Sequence, residues 1–520
     1  MANRLHNETS PYLQRYKNSA IEWWPWCQEA FDKAENENKA IFVSIGFSAC
    51  QLCDFMDEQV FQDKESIDIL NAAFVSIRVD RDEHPELDKY FQKAYKLLNR
   101  TSGGWPLNLF LTPQKRVFLA KTYMSAQSSD ASNEGMGFRE LATLVSTKIA
   151  QKEQRLYQDA QELENILTKI EHPTEATRLS ESFRKNFLLQ VSNNFDKEHG
   201  GFGEKPKFAH ASTLGALLDI ERYYSDESAK NMLIQTLNAI KSGALYDNKL
   251  GGFYRHTTDE KWMEAKPEKM LYDNAELITL YARSYLAFKD ESYLESAKKS
   301  ADFWLTQMSK DGLFYSSLSP NTQNSEAEPI KDTQIQTAWS SMMTTALFTL
   351  GSINEKYKEY GLKTLDRLMG HLFVGEQLYH CRTLDKEPKV EAFLEDYAFV
   401  TQAYLAAFEV TLDEIHLINA QRFANKALEE FYTKGRWNFN TQELLVQADV
   451  EDKLYSSAVS VMVENLLTLG VLLEDEKYTH FAFKTMEYSS YELGRKPLYM
   501  PHMFSQSLRY LKEISAFKAF

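Results

Sequence analysis

Two cysteines separated by two residues, Cys50 and Cys53, form the motif with the clearest chemistry in this 520-residue chain. The pair follows a β-branched and aromatic run, 40–46, and opens a stretch with helical periodicity, which predicts Cys50 at a helix N-terminus. Unpaired backbone N–H groups and the helix dipole stabilise a thiolate there, and known cases have a thiol pKa of roughly 3.5–7.5 instead of about 8.5. We therefore expect Cys50 to attack a substrate disulfide and Cys53 to resolve the mixed disulfide.

Trp105 and Pro106 come immediately before a third strand-like run, 107–111. A cis proline beside the thiols would leave the preceding backbone edge free to receive a substrate peptide, so both residues are candidate parts of a substrate groove. Two other interpretations of the cysteine pair stay open. The thiols could be unreactive, or they could belong to a zinc site, which needs two further ligands where Cys27 is the only nearby thiol. We expect no metal and no cofactor.

The second half of the chain holds carboxylates close to aromatic residues, a combination that sugar-processing enzymes use as acid, base and stacking surface. The candidate substrate-binding residues are Arg255, Trp262, Glu268, Tyr272, Asp273 and Asp396. Two alternatives stay open beside carbohydrate catalysis. The carboxylates could cap helices and pair with Arg255 or Lys269 to hold the fold, or they could bind a ligand without turning it over.

The elements that carry the cysteines alternate between strand and helix. Runs rich in β-branched and aromatic residues predict strands at 40–46, 73–79 and 107–111, and helical periodicity covers 31–38, 50–70 and 85–98. This order predicts an α/β domain at residues 1–124 with a thioredoxin-like arrangement. A polar, Gly-containing linker and a long helix over 138–170 then connect it to the second half, so residues 125–177 are predicted as linker and connecting helix.

From residue 178 to 520 the strands nearly vanish, and about twelve segments show apolar periodicity at helical spacing. They alternate between a more apolar and a more charged member, and short Gly-aromatic stretches such as Gly251-Gly-Phe-Tyr254 recur between them. Six helical hairpins in a closed ring bury the apolar members inside. We therefore predict an (α/α)6 toroid, with an open superhelix of the same hairpins as the alternative.

Composition limits the partners and the location. The chain has 59 Lys+Arg and 74 Asp+Glu, a formal charge of −15, which argues against nucleic acid or an anionic membrane as partner. Four cysteines are too few for a disulfide-built scaffold. The first residues lack the apolar stretch of a secretory signal, and charges interrupt every apolar segment, so we expect a cytoplasmic protein without membrane spans.

A family resemblance covers essentially the whole chain. The motifs that carry it are Ser10-Pro-Tyr-Leu13, Trp24-Pro-Trp26, Ile41-Phe-Val-Ser-Ile-Gly46, Cys50-x-x-Cys53, Phe74-Val-Ser-Ile-Arg-Val-Asp-Arg81, Gly103-Gly-Trp-Pro-Leu107, Gly200-Gly-Phe-Gly203, Glu268-Lys-Met-Leu-Tyr-Asp-Asn-Ala275 and Glu395-Asp-Tyr-Ala398. Together they resemble the spermatogenesis-associated, thioredoxin-domain family, of which this chain looks like a diverged bacterial member. The resemblance implies a thioredoxin-like domain fused to a six-hairpin barrel similar to glycosidases and N-acylglucosamine 2-epimerases.

The chain departs from the family pattern at its histidines. The family's Cys-His-Trp-Cys-His is replaced by Cys50-Gln-Leu-Cys-Asp54, and three histidines expected in the barrel are Asn248, Tyr254 and Lys266. Asp54 adds a negative charge that opposes thiolate formation, and the missing imidazoles put histidine-based barrel chemistry in doubt.

The sequence thus favours a thiol–disulfide oxidoreductase with Cys50, Cys53 and Pro106 as its catalytic residues and a protein disulfide or thiol as its partner. A sugar is a possible ligand of the barrel. The alternatives are an epimerase-like or glycosidase-like enzyme and a non-catalytic binding or scaffold protein.

Overall fold

The computed structural model describes residues 3–128, 135–169, 176–321, 328–442 and 444–514. The chain forms two compact units. One comprises Met1–Glu171 with Asn321–Glu328, and the other comprises His172–Pro320 with Pro329–Phe520. Within the predicted linker 125–177, residues 129–134 and 170–175 lie outside the described ranges.

The first unit is built on a four-stranded sheet. Its strands are β1 (Ala40–Gly46), β2 (Phe74–Asp80), β3 (Leu107–Leu111) and β4 (Val117–Lys121). They lie in the order β2-β1-β3-β4, with β1 parallel to β2 and the other pairs antiparallel. The first three strands are buried throughout, as their continuous apolar sequences predict. Strand β4 is only partly buried, and it is absent from the strands predicted from the sequence.

Helices cover both faces of this sheet. They are α1 (Pro11–Gln14), α2 (Gln28–Glu37), α3 (Gln51–Met56), α4 (Lys64–Ala73), α5 (Pro85–Asn99), α6 (Phe138–Ala150) and α7 (Gln154–Leu167). The helix predicted over 50–70 is divided, because a π-helical turn follows α3 and Asp63 caps α4 with its side chain. The helix predicted over 138–170 is also divided, at Lys152 with a φ of 52°. Phe138 of α6 packs in one core with Phe42 and Phe110 of the sheet.

The second unit pairs outer with inner helices. The outer helices are α8 (Ser182–Asn194), α10 (Glu227–Ser242), α12 (Glu291–Gln307), α14 (Glu355–Leu372), α16 (Glu414–Phe431) and α18 (Glu476–Arg495). The inner helices are α9 (Ala211–Tyr224), α11 (Leu271–Phe288), α13 (Thr337–Gly351), α15 (Leu394–Thr411), α17 (Ala458–Leu472) and α19 (Pro501–Arg509). Each inner helix contacts the next, and α19 contacts α9, so the ring closes. This confirms the predicted toroid over the open superhelix.

Short strands occupy five of the six connections that lead from an outer helix to the next inner one, and the connection from α18 to α19 holds a 3-10 turn instead. They are β5 (Lys207–Phe208), β6 (His256–Thr257), β7 (Lys269–Met270), β8 (Ser309–Lys310), β9 (Leu313–Phe314), β10 (Ser317–Ser319), β11 (Ile330–Asp332), β12 (Gln334–Gln336), β13 (Phe373–Val374), β14 (Gln377–Thr383), β15 (Lys389–Glu391), β16 (Tyr432–Thr433) and β17 (Arg436–Trp437). Because these connections all precede inner helices, they gather at the N-terminal end of the inner ring. Across the described part of the chain, no helix combines the length and apolar character that a membrane crossing requires.

Candidate functional site

Cys50 and Cys53 are joined by a disulfide, with their Cα atoms 5.2 Å apart. Cys50 is the N-cap residue of α3, and its Sγ accepts a hydrogen bond from the backbone N–H of Cys53 at 3.3 Å. Cys50 is 6% exposed and Cys53 is 1% exposed. The pair therefore lies at a helix N-terminus, with Cys50 as the more exposed of the two residues.

The peptide bond between Trp105 and Pro106 is cis and directly precedes β3. The Trp105 indole N–H donates to Asp88 Oδ1 at 2.9 Å, and its ring packs edge-to-face on Phe47 at 5.6 Å between ring centres. The Arg81 guanidinium lies 3.6 Å from the centre of the Phe47 ring and 4.5 Å from that of Trp105. Since Phe47 belongs to the segment between β1 and α3, the cis-proline loop packs against the loop that carries the cysteines.

The negatively charged side chain of Asp54 pairs with Arg15, a contact that was not predicted from the sequence. Arg15 Nη1 lies 3.7 Å from Asp54 Oδ1 and also donates to the carbonyl oxygen of Ser48 at 3.2 Å. Both charged side chains are about three-quarters buried, so Arg15 offsets part of the negative potential near the thiols.

Three of the predicted sugar-binding residues lie in the connection between α10 and α11. Arg255 Nη1 is 4.0 Å from Glu268 Oε2, and the Arg255 backbone N–H donates to the Glu268 carbonyl at 2.9 Å. Trp262 is 1% exposed, and its indole N–H donates to the carbonyl oxygens of His199 and Gly200 at 3.1 and 3.3 Å. The structure thus brings Arg255 and Glu268 together, and it packs Trp262 among the loops.

Asp396 is fully buried in the first turn of α15, and its carboxylate has three hydrogen-bond partners. Its Oδ2 lies 2.9 Å from His380 Nδ1 and accepts the backbone N–H of Phe393 at 2.9 Å. Its Oδ1 accepts the backbone N–H of Ala338 at 3.1 Å. Asp396 therefore ties the start of α15 to α13 and to β14.

Tyr272 and Asp273 lie in the first turn of α11, beside an aromatic cluster. The Tyr272 ring is 4.9 Å from that of Trp339 and 5.0 Å from that of Tyr455. The Trp339 indole N–H donates to Tyr455 Oη at 3.2 Å, and that hydroxyl donates to Glu395 Oε2 at 3.0 Å. Asp273 is half-buried, next to this cluster in the chain.

A second group of ionisable side chains joins three inner helices, and none of its members was among the predicted site residues. His502 Nε2 of α19 donates to Glu464 Oε2 of α17 at 3.1 Å, and the His502 backbone N–H donates to Asp452 Oδ2 at 2.7 Å. On α11, Glu276 Oε1 accepts both the backbone N–H and the hydroxyl of Ser456, at 2.8 and 2.7 Å. We call His502, Glu464, Asp452 and Glu276 the ring cluster.

The members of the ring cluster differ in protonation. Burial lowers the pKa of His502, but the hydrogen bond and charge of Glu464 outweigh it and raise that pKa to about 9. Burial would raise the pKa of Glu464, and His502 instead lowers it to about 2. Burial raises the pKa of Glu276 and of Asp452. An imidazolium thus lies among carboxyl groups of very different acidity, which is an arrangement suited to proton transfer.

One sequence signal could have located the ring cluster. Glu464 is the only ionisable residue in α17, and an isolated carboxylate in an apolar helix needs a partner or a function. Its partner His502 lies 38 residues away, and no spacing rule connects the two. Among the described residues, no group of three or more His, Cys, Asp or Glu side chains is arranged to hold a metal ion.

Comparison with known proteins finds proteins that are similar to each unit. Residues 2–168 match the model of a family described as Thioredox_DsbH, protein of unknown function, DUF255. The chain is 35% identical over 329 residues to spermatogenesis-associated protein 20 of Rattus norvegicus. That match covers 61% of this chain and 41% of the rat protein, so the chain spans about two fifths of the length of this relative.

Solved structures resemble the second unit in fold. The cellobiose 2-epimerase of Bacillus thermoamylovorans superposes with a TM-score of 0.51 at 14% identity, covering 63% of this chain and 99% of the epimerase. A sugar epimerase from a ruminal bacterium superposes with a TM-score of 0.52 at 12% identity, covering 64% of this chain and 98% of that protein. At these identities the likeness establishes the (α/α)6 fold alone. The chain therefore resembles spermatogenesis-associated protein 20 over 329 residues, matches the thioredoxin-like DsbH family model at residues 2–168, and contains an (α/α)6 toroid.

Proposed function

We propose that the first unit catalyses thiol–disulfide exchange with a protein or peptide substrate. The observation that carries this proposal is the Cys50–Cys53 disulfide at the N-terminus of α3, in a loop packed against the cis Trp105–Pro106 bond. The helix N-terminus stabilises a Cys50 thiolate, which is the species that attacks a substrate disulfide.

The reaction proceeds by two successive thiol–disulfide exchange steps. The Cys50 thiolate attacks one sulfur of a substrate disulfide, which forms a mixed disulfide and releases the other substrate sulfur as a thiolate. Cys53 then loses its proton and attacks Cys50 Sγ. This step forms the Cys50–Cys53 disulfide seen here and releases the second substrate thiolate. Two electrons pass from the cysteine pair to the substrate, and an external dithiol must return them.

The experiment uses the full chain, reduced with dithiothreitol and freed of excess reductant, and a disulfide-linked fluorogenic peptide. One equivalent of wild-type protein should reduce about one equivalent of peptide. Cys50→Ser should abolish the reaction, and Cys53→Ser should accumulate a mixed disulfide visible by mass spectrometry. Cys27→Ser, which changes a half-buried free thiol of the same unit, is the matched control and should react like the wild type. Equal reduction by Cys50→Ser would refute the proposal.

The ring cluster favours a second function, which is binding and processing of a sugar by the second unit. His502 is 19% and Glu464 30% exposed, although both lie on inner helices of a closed ring, so these side chains border open space within it. A protonated imidazole and half-buried Glu276 supply an acid and a carboxyl group with raised pKa. Proton transfer of this kind suits exchange at a carbon beside a carbonyl, or protonation of a glycosidic oxygen.

Incubation with mono- and disaccharides in D2O separates these reactions. Epimerase-like chemistry predicts deuterium at the carbon next to the sugar carbonyl, and glycosidase-like chemistry predicts new reducing ends, both visible by NMR. His502→Gln should abolish either signal, whereas His480→Gln, at an exposed position on outer helix α18, should not. If no sugar in a broad panel binds or changes, the second function is excluded and the first is untouched.

A further inference from the structure

The backbone of Gly46 separates Cys53 from a buried tyrosine. A Cβ atom built on Gly46 would lie 2.8 Å from Cys53 Sγ and 2.2 Å from the hydroxyl oxygen of Tyr12. The two side-chain atoms thus converge on one point, which limits their separation to about 5 Å, and the missing side chain of Gly46 leaves the space between them open.

The Tyr12 hydroxyl has an unused proton. Arg78 Nε donates to this oxygen at 3.1 Å, and among the described residues Arg78 is its only hydrogen-bond partner. Burial raises the pKa of Tyr12 well above its ordinary value, so the group keeps its proton at any physiological pH. A buried O–H without an acceptor costs free energy, and the nearby sulfur is an acceptor that becomes strong when it carries a negative charge.

Arg78 places a permanent positive charge behind Tyr12. Its side chain is 1% exposed, its guanidinium lies 3.9 Å from the centre of the Tyr16 ring, and its Nη2 is 2.9 Å from Asp57 Oδ1. The Tyr16 hydroxyl donates to Asp57 in turn. Asp57 follows Cys53 by one helical turn, so the network is anchored to the same segment as the resolving cysteine.

We propose that Tyr12, held by Arg78, donates a hydrogen bond to the thiolate of Cys53 in the second step of disulfide exchange. The proposal rests on the exchange reaction proposed for this pair. When Cys50 is in a mixed disulfide, Cys53 gives its proton to solvent or to the departing substrate thiolate. The Tyr12 O–H and the Arg78 charge stabilise the sulfur anion until it forms the bond to Cys50 Sγ. Tyr12 keeps its proton throughout and consumes no electrons.

The ionisable groups of the cysteine motif and of the network around Tyr12 come from three elements. Segment 51–61 contributes Asp54 and Asp57, β2 contributes Arg78 and Asp80, and the N-terminal segment contributes Tyr12, Arg15 and Tyr16. Asp57 and Asp54 oppose a Cys53 thiolate, and Asp80 adds to them. The Tyr12 hydroxyl is a neutral donor that reaches the sulfur from the Gly46 side, so its removal should act on Cys53 without changing the net charge.

The test measures the Cys53 thiol pKa in the full chain carrying Cys50→Ser, from the 13Cβ shift of labelled cysteine against pH. This readout requires no turnover. Adding Tyr12→Phe keeps the ring and should raise the Cys53 pKa by about one unit, the amount that one hydrogen bond to an anion contributes. Adding Tyr16→Phe removes a hydroxyl that donates to Asp57, and it should leave the Cys53 pKa within about 0.3 units of the parent.

The outcomes separate this proposal from the exchange reaction itself. An unchanged Cys53 pKa in the Tyr12→Phe chain, or an equal rise with Tyr16→Phe, overturns the role of Tyr12. If the wild-type protein exchanges disulfides but Tyr12→Phe leaves the Cys53 pKa unchanged, only the role proposed for Tyr12 is refuted. Failure of the wild type to reduce any disulfide would refute the proposed function even if Tyr12→Phe raises the Cys53 pKa. In the unmodified active site, Tyr12→Phe should slow release of the second substrate thiolate about tenfold and leave mixed-disulfide formation unchanged.

Discussion

The His502 imidazole is bonded to the Glu464 carboxylate at 3.1 Å, across the junction of two inner helices of the ring. Each partner stabilises the charged form of the other. His502 is held protonated with a pKa of about 9, and Glu464 is held ionised with a pKa of about 2. The pair therefore links the closure of the ring to pH.

Stability of the second unit should fall at alkaline pH. The folded-state pKa of His502 lies above the value of about 6.5 expected in the unfolded chain, so its contribution is fully present below pH 6.5 and is lost as the pH rises through about 9. The lost free energy of unfolding should be about 1–3 kcal/mol, measured from guanidinium denaturation between pH 6.5 and 9.5.

His502→Gln should remove most of this pH dependence, and His480→Gln on α18 should retain it. At the acid end, the lowered pKa of Glu464 makes its contribution present above about pH 4.5 and lost as the pH falls through about 2. The pKa shifts of His502 and Glu464 arise from the same ion pair, so their contributions to the free energy of unfolding are not added together. An equal alkaline loss in the His502→Gln chain would show that another group controls it.

Gly46→Ala should destabilise the first unit and disturb the surroundings of Cys53. The new methyl group would lie 2.2 Å from Tyr12 Oη and 2.8 Å from Cys53 Sγ, so one of these side chains must move. Overpacking of this kind costs about 1–3 kcal/mol of unfolding free energy. The control is Gly104→Ala, where a built Cβ meets nothing within 4 Å among the described residues, and we expect a change within about 0.5 kcal/mol.

Neutralising Asp54 should make Cys50 more acidic. Asp54 follows the cysteine motif directly and is only partly offset by Arg15 at 3.7 Å, so Asp54→Asn should lower the Cys50 pKa by about 0.5 units. Arg15→Gln should raise it by a similar amount, because the positive charge of Arg15 no longer offsets the charge of Asp54. The pH dependence of iodoacetamide alkylation of the reduced protein measures the Cys50 pKa in both variants. Asp68→Asn, at an exposed position on α4, should leave the midpoint unchanged.

The sequence predicts what depends on local patterns. Continuous apolar runs locate β1, β2 and β3, and alternating apolar and charged helices predict the closed ring. Strand β4 was missed because it follows Arg116, ends in the charged Lys121 and is buried at only two of its five positions. The helix over 50–70 was predicted whole because Asp63, which caps α4, has no Gly or Pro beside it to mark the interruption.

In the candidate sites, too, local sequence patterns predict some features and miss those that depend on tertiary contacts. Cys50 and Cys53 lie three positions apart in the chain, and this spacing alone predicts thiol–disulfide chemistry. The ring cluster joins residues 276 to 502, which meet only because the ring closes. Tyr12 and Cys53 likewise approach each other through Gly46 of β1. Such contacts depend on tertiary packing, and hydrophobic periodicity does not encode them.

Substitutions of Asp396 test whether this carboxylate stabilises the ring or binds a ligand. Asp396→Ala would leave two buried backbone N–H groups, of Phe393 and Ala338, and His380 Nδ1 without this acceptor, so we expect a loss of about 3–5 kcal/mol in unfolding free energy. Asp396→Asn keeps one acceptor oxygen in a side chain of the same shape and should cost about half as much. Denaturation midpoints measure both losses, and saturation-transfer NMR with the sugar panel measures binding. A chain with Asp396→Asn that folds with nearly wild-type stability but no longer binds a wild-type ligand would instead make Asp396 a sugar contact.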